Sequence, residues 1–343
     1  MTNKRVCALR RGGYRQPVAR RGGWRRLGTK RFRYVTASGE EIRDEDELER
    51  IRALAIPPAW SEVWISPNPR ARIQATGTDA AGRKQYRYHP RFRAAQDRAK
   101  FERLLDFASA LPALRAATSR HLRGDGASER DWTCALAVGL VNKAWFRVGS
   151  DRHTRRSRTY GVTTLTKRHA SVAGDEVQFC FRAKNRRLVR RTIRNATLAR
   201  GVARLLDLPG GGRLFRYQRD GELVALTGDE LNAYLAENMG DGFTAKDFRT
   251  WGGTLLAASE LARRGVSEDE RESKRTIAAV MRAVGEELGN TAAVARESYV
   301  SPAVIDAYLE GRTLEDYRRA SRRPPRLSQD ERALVRLLRA AAR

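Results

Sequence analysis

The chain has 343 residues, with 68 Lys or Arg against 40 Asp or Glu and a net charge of +28. A chain of this length buries one large core or two moderate ones, and such a charge excess repels itself unless a polyanion offsets it, so nucleic acid is the expected partner. Cys7, Cys134 and Cys180 are too scattered for a disulfide framework or a Cys-x-x-Cys zinc site, His89, His121, His153 and His169 lack metal-ligand spacing, and no apolar run approaches the roughly 20 residues that span a bilayer.

The first 30 residues carry Arg10-Arg11-Gly12-Gly13 and Arg25-Arg26 but no apolar signal-peptide core, and read as a flexible basic arm. Phe32–Val35 and Glu41-Ile42 predict a hairpin around Gly39. Leu48, Ile51 and Leu54 share one side of a helix from Asp44, which Ile56-Pro57-Pro58 ends because proline cannot continue it. Strands follow at Val63–Ile65, at Ile73–Gly77 and at the basic, aromatic-laced Gly82–Tyr88. From about Leu111 helices dominate, interrupted by a hairpin at Val177–Arg182 that turns near Lys184-Asn185 and returns through Leu188-Val189.

Capping boxes are expected at Thr227 with Glu230, Thr244 with Asp247, Ser267 with Glu270 and Ser328 with Glu331, and Ser301-Pro302 reads as an N-cap and first helical residue. The expected fold class is α+β. The expected organisation is a basic arm (1–30), a small β-rich mixed domain (31–108), a larger, mainly helical domain with a β-hairpin (109–320), and a linker with a last helix (321–343).

Tyr299, in Ser298-Tyr299-Val300-Ser301-Pro302, gains meaning from Arg147, Lys184 and Arg249 upstream of it. Breaking a phosphodiester requires donors that neutralise the charge spreading over the nonbridging oxygens, supplied by metals or by arginine and lysine. The chain shows no Walker A pattern and no carboxylate cluster, and cationic side chains abound, so the metal-free route fits better. Taken singly, each basic residue reads as a solvated face or a DNA-backbone contact, and Phe248, Trp251 and Tyr308 read as core.

A set of segments turns this kit into a resemblance. In order they are Leu54–Trp60, Ile73–Gly77, Gly82–Pro90, Phe146–Gly149, Thr159–Leu165, Lys246–Gly252 and Leu288–Pro302. Together they resemble the type IB DNA topoisomerases of the bacterial and poxvirus kind. The resemblance implies a two-domain clamp on double-stranded DNA, a catalytic domain shared in kind with tyrosine recombinases, relaxation of supercoils, a monomer, and no need for ATP, metal or any other cofactor. It implies that Tyr299 takes the 3′ phosphate, that Arg147 and Arg249 hold the nonbridging oxygens, and that Lys184 protonates the leaving 5′ oxygen. Asn290 stands where the family usually has histidine, and Ala183 where it usually has glycine; Lys167 is the runner-up for the lysine.

The resemblance also marks Arg83, Lys84, Gln85, Tyr86 and Tyr88 as a DNA-contact strand. Alternation sets Gln85 opposite Tyr86 and Tyr88, so Gln85 would read a base edge while the tyrosines touch phosphate, stack on DNA or pair across their own sheet. Two alternatives stay open. One is a tyrosine recombinase-like strand-exchange enzyme, although Lys246 stands where recombinases commonly carry histidine. The other is a DNA-binding protein that has lost catalysis. A cytoplasmic, nucleoid-associated location is expected.

Overall fold

The computed structural model describes residues 22–29, 31–319 and 326–342. The chain divides after Arg98 into two compact units.

The first unit is a five-stranded antiparallel sheet in the order β2-β1-β3-β4-β5. Its elements are β1 (Trp24–Leu27), β2 (Arg33–Val35), α1 (Glu45–Ala53), β3 (Ser61–Ile65), β4 (Ile73–Thr78) and β5 (Lys84–Tyr88). Asp44 caps α1 by accepting from the Glu47 amide, as the sequence suggests. Ile51 of α1 packs with Val63, Ile65 and Ala75 into a small core edged by Trp24, Tyr34 and Trp60. Gln74, buried within β4, donates to the Asn68, Pro69 and Ala71 carbonyls and so holds the Ser66–Arg70 turn in shape.

One expectation needs correction here. The basic arm was set at 1–30, but Trp24–Leu27 is a strand paired with both β2 and β3. Trp24 joins the core, and the Arg26 guanidinium donates to the Pro57 carbonyl at 3.1 Å and the Trp60 carbonyl at 2.5 Å. Arg26 thereby adds side-chain donors to the carbonyls of the proline segment, where the Pro57 carbonyl also accepts from the Trp60 amide. Residues 1–21 lie outside the described residues.

The second unit is mainly helical. In chain order it contains α2 (Pro90–Arg123), inside whose first turns the division falls, α3 (Glu129–Ala144), α4 (Asp151–Ser157), β6 (Ala170–Ala173), β7 (Glu176–Arg182), β8 (Leu188–Arg194) and α5 (Ala196–Asp207). It continues with β9 (Arg216–Arg219), β10 (Glu222–Ala225), α6 (Gly228–Met239), α7 (Ala245–Arg264), α8 (Glu270–Leu288), α9 (Ala292–Ser298), α10 (Pro302–Leu309) and α11 (Gln329–Ala341). Helix therefore begins at Pro90, well before the Leu111 read from sequence, with Leu104, Phe107, Ala108, Leu111 and Leu114 as its buried stripe. The hairpin β7–β8 gains a third strand, β6, which the sequence reading did not separate.

Thr227 and Thr244 form the expected capping boxes of α6 and α7. Ser267 does not cap α8. Asp269 does, accepting from the Arg271 and Glu272 amides, while the Ser267 hydroxyl donates to Glu272. A carboxylate at the helix N-terminus is the stronger acceptor and also meets the dipole favourably.

The last helix belongs to the core of this unit. Ser328 and Glu331 form its capping box, and Ala333, Leu334, Leu337 and Leu338 are buried, whereas Ala341 is exposed. Glu331, only 4% exposed, takes two bonds from the Arg115 guanidinium of α2, at 2.7 and 2.8 Å, and one from the Trp251 indole of α7 at 3.3 Å. The linker's 320–325 lie outside the described residues. Burial pushes the Glu331 carboxyl up, but Arg115 outweighs it and holds the group below its ordinary range. The stabilisation is thus complete above the unfolded-state pKa and is lost as pH falls through the lower folded value. Glu331→Ala leaves the partly buried Arg115 guanidinium with only the Arg326 carbonyl and Asn142 as partners, so urea unfolding at neutral pH should show a loss of about 2 kcal/mol.

Candidate active site

Helix α7 presents two faces with different duties. Phe248 and Trp251 point into the core, where Phe248 meets the Phe107 ring edge-on at 5.0 Å. Arg249 lies between them in sequence and is only 5% exposed. Its terminal nitrogens donate to the Trp145 and Leu288 carbonyls, each at 2.6 Å, while its buried Nε has no partner. A guanidinium carries five N–H donors, so the two carbonyls do not exhaust Arg249, whose side chain also hydrogen-bonds to Tyr299. Trp145 ends α3 in the left-handed conformation (φ 52°) and lays its indole on α7 at Gly252, where any Cβ would stand 2.1 Å from the indole nitrogen.

Beyond Trp145 the chain straightens. The Arg147 and Val148 carbonyls accept from the Val162 and Thr163 amides, each at 2.8 Å, so the two motif segments Phe146–Gly149 and Thr159–Leu165 lie side by side. Arg147 then reaches the α8–α9 junction and donates to Asn290 Oδ1 at 3.1 Å. Helix α8 ends at Gly289 in the left-handed conformation that glycine adopts freely. Asn290 follows, its amide bonded to the Gly285 carbonyl at 2.6 Å and its side-chain NH₂ to the Leu288 carbonyl at 3.3 Å.

Tyr299 sits just past α9, and Thr254 of α7 fixes its backbone. The Thr254 hydroxyl donates to the Tyr299 carbonyl at 3.1 Å and accepts from the Ser301 amide at 3.1 Å. The contact is so close that a Cβ on Gly253 would stand 2.9 Å from the Tyr299 carbonyl oxygen. The Arg249 guanidinium lies 5.0 Å from the centre of the Tyr299 ring. Beside this cluster a cavity of about 310 Å³ is lined by Arg147, Arg249, Ala183, Arg187, Tyr160 and Gly289.

The electrostatics follow from this crowding. Burial, then the charge of Arg147, bring the Arg249 guanidinium down to about 10, with Tyr299 opposing. Burial also lowers Arg147, against Tyr299 and with help from Arg187. For Tyr299 burial is the largest single influence and pushes the phenol up. The cations Arg249, Arg147 and Lys246 together outweigh it, and the phenol ends below its ordinary value.

The structure thus brings Arg147, Arg249, Asn290 and Tyr299 together. Lys184 stands apart from their bonds at the exposed tip of β7–β8, where among the described residues its ammonium makes no hydrogen bond or ion pair. Asn185 there has φ 61°, as a tight turn requires. Lys167, the runner-up, donates its ammonium to the Leu208 carbonyl and is committed elsewhere. The sequence reading missed Lys246 and Arg187 as members of the cluster. Lys246 could have been found, because it precedes Arg249 by three positions and so shares its helix face.

In the first unit the proposed contact strand is β5 with Arg83 just before it. The Tyr86 and Tyr88 rings stack at 6.0 Å, so they share a face as alternation requires. Arg83 Nε and Gln85 Nε2 both donate to Asp79 Oδ2 at 2.8 Å. Arg83 above all holds the Asp79 carboxyl well below the usual range. Lys84 is exposed.

Comparison with known proteins places this architecture. Residues 89–316 match the family model of the eukaryotic DNA topoisomerase I catalytic core. Residues 31–79 match that of the bacterial DNA topoisomerase IB N-terminal domain. The chain is also 34% identical over 289 residues to DNA topoisomerase 1B of Acanthamoeba polyphaga mimivirus, covering 82% of this chain and 85% of that one. A β-rich unit followed by a helical core of this kind defines an isomerase that acts on DNA topology. The chain belongs to the type IB DNA topoisomerase family. Among the described residues no helix is long and apolar enough to cross a membrane.

The depressed phenol gives a direct readout. Tyrosinate absorbance should show one group ionising below the ordinary value of about 10, absent in Tyr299→Phe and moved upward in Lys246→Met.

Proposed function

We propose that this enzyme relaxes supercoiled double-stranded DNA by cutting and resealing one strand through Tyr299. The observation that carries the reading is a half-buried phenol made easier to ionise by two neighbouring guanidiniums, Arg249 buried and Arg147 partly so. The Tyr299 phenolate, its proton given up to solvent, attacks the scissile phosphorus as the bond to the 5′ oxygen breaks, leaving the 3′ phosphate on the tyrosine. Lys184, carried in by the hairpin, gives its proton to the departing 5′ oxygen. Arg147 and Arg249 hold the nonbridging oxygens, where preorganised charge is worth most.

Resealing is the reverse. The 5′ hydroxyl attacks the phosphotyrosine, returns its proton to Lys184 and expels the phenolate. One phosphodiester is exchanged for another, so the cycle has no energetic need for ATP, and the arginines supply the charge that a metal would otherwise bring. Asn290, in place of the family's usual histidine, donates a hydrogen bond without carrying charge or shuttling a proton. In this structure its side chain steadies Arg147.

Arg83, Lys84, Gln85, Tyr86 and Tyr88 form the contact strand of the N-terminal unit in this reading. Phosphate would compete with Asp79 for Arg83, while Gln85 keeps its carbonyl oxygen and one amide proton for a base edge. The enzyme acts as a monomer on nucleoid DNA in the cytoplasm.

The test is relaxation of a supercoiled plasmid in EDTA without ATP. The wild type should relax it and leave a strand covalently attached to protein after denaturant quenching. Tyr299→Phe should do neither while still binding DNA. Arg147→Ala and Arg249→Ala should each slow cleavage about 10²-fold or more, the scale for losing a preorganised donor. Relaxation by Tyr299→Phe would end the reading. Binding without relaxation by the wild type would favour a DNA-binding protein that has lost catalysis, and resolution of Holliday junctions a recombinase.

A further inference from the structure

Lys184 occupies a conformationally expensive position. Asn185 and Arg186, which follow it, both have left-handed backbones, with φ 61° and 58°. Asparagine tolerates that region, but two successive non-glycine residues there are costly without an external tether. On the other side of Lys184 lies Ala183, buried, and its amide closes the turn on the Arg187 carbonyl at 2.8 Å. The general acid of the proposed reaction therefore rides on a short, strained turn between two fixed ends.

The second of those ends is fixed by Arg187 itself. Its guanidinium crosses to the α8–α9 junction and donates to the Asn290 carbonyl at 2.6 Å. The Asn290 side chain, from the same residue, accepts from Arg147 at 3.1 Å. The hairpin tip and the phosphate-holding arginine are thus referenced to one residue. Four positions further on, within β8, Arg191 donates to the Glu287 carbonyl and pairs with the Glu287 carboxylate at 3.0 Å. Arg191 secures the body of the sheet, which also buries Val177, Phe179, Phe181 and Ile193. Arg187 is left to secure the tip.

We propose that Arg187 is a positioning residue, a latch between the hairpin tip and Asn290 that holds Lys184 at the leaving 5′ oxygen. The assignment rests on Lys184 as general acid. Arg187 is exposed and stands just before β8, so its replacement releases the tip without unfolding the unit. The loss should fall on proton transfer and spare the clamping of phosphate.

The experiment compares single-turnover cleavage of two duplexes, one ordinary and one with sulfur as the bridging 5′ atom of the scissile linkage. A thiol with a reference pKa of about 8.5 leaves as thiolate and needs no proton. Arg187→Ala should cut the ordinary duplex about 10-fold or more slowly, part of the 10²–10⁴ that a general acid contributes, and the sulfur duplex nearly as fast as wild type. Lys184→Ala should show the same pattern more strongly, Arg147→Ala should stay slow on both, and Arg187→Lys should recover part of the ordinary rate. Equal slowing of both duplexes by Arg187→Ala, or no slowing of either, with Lys184→Ala still rescued by sulfur, would overturn the latch alone. Failure of sulfur to rescue Lys184→Ala would overturn the general-acid role of Lys184, and the latch with it.

Discussion

The cluster depends on the carbonyl end of one helix. Where α8 stops, Glu287, Leu288 and Asn290 present backbone oxygens that no amide of the helix can satisfy. Guanidiniums from three separate places fill them: Arg191 from β8, Arg187 from the hairpin turn before it, and Arg249 from α7. Arg147 joins through the Asn290 side chain. A helix C-terminus carries partial negative charge, so it is a natural gathering point for cations that would otherwise repel one another. Gly289 ends α8 cleanly, and the chain then turns into the short helix that delivers Tyr299.

This arrangement reconciles two opposing demands. A site for a phosphodiester needs positive charge held rigidly and partly dehydrated, because charge is worth most out of water. Dehydrating guanidiniums beside each other in a chain of net charge +28 is unfavourable, as the lowered Arg249 records. Backbone carbonyls resolve the conflict. They satisfy hydrogen-bond donors without adding a full negative charge, so the cluster keeps its attraction for phosphate. A carboxylate in the same place would neutralise the arginine it held, as Asp79 does with Arg83.

Much of this was legible in the sequence wherever the signal was local. Thr227, Thr244 and Ser328 marked helix starts because a capping box lies within four residues, and Asn185 marked the hairpin turn by its tolerance of positive φ. Signals failed where partners are distant or rivals adjacent. Trp24–Leu27 reads as a basic tail until β3, far along the chain, supplies its pairing. Ser267 and Asp269 are both good caps two positions apart, and only packing decides between them. Tyr299, Arg147 and Arg249 stood out through their motif contexts. Arg187 could not, since nothing local separates it from Arg186 or Arg190.

Asn290 separates what its backbone does from what its side chain does. Its peptide groups do most of its structural work, the amide closing on Gly285 and the carbonyl receiving Arg187. Any residue that follows the same backbone path retains both bonds. Within the protein the side chain accepts from Arg147 and donates to the Leu288 carbonyl. An imidazole and a carboxamide can each supply such a pair. The bonds that fix this junction therefore constrain the path of the chain more than the identity of the side chain it carries.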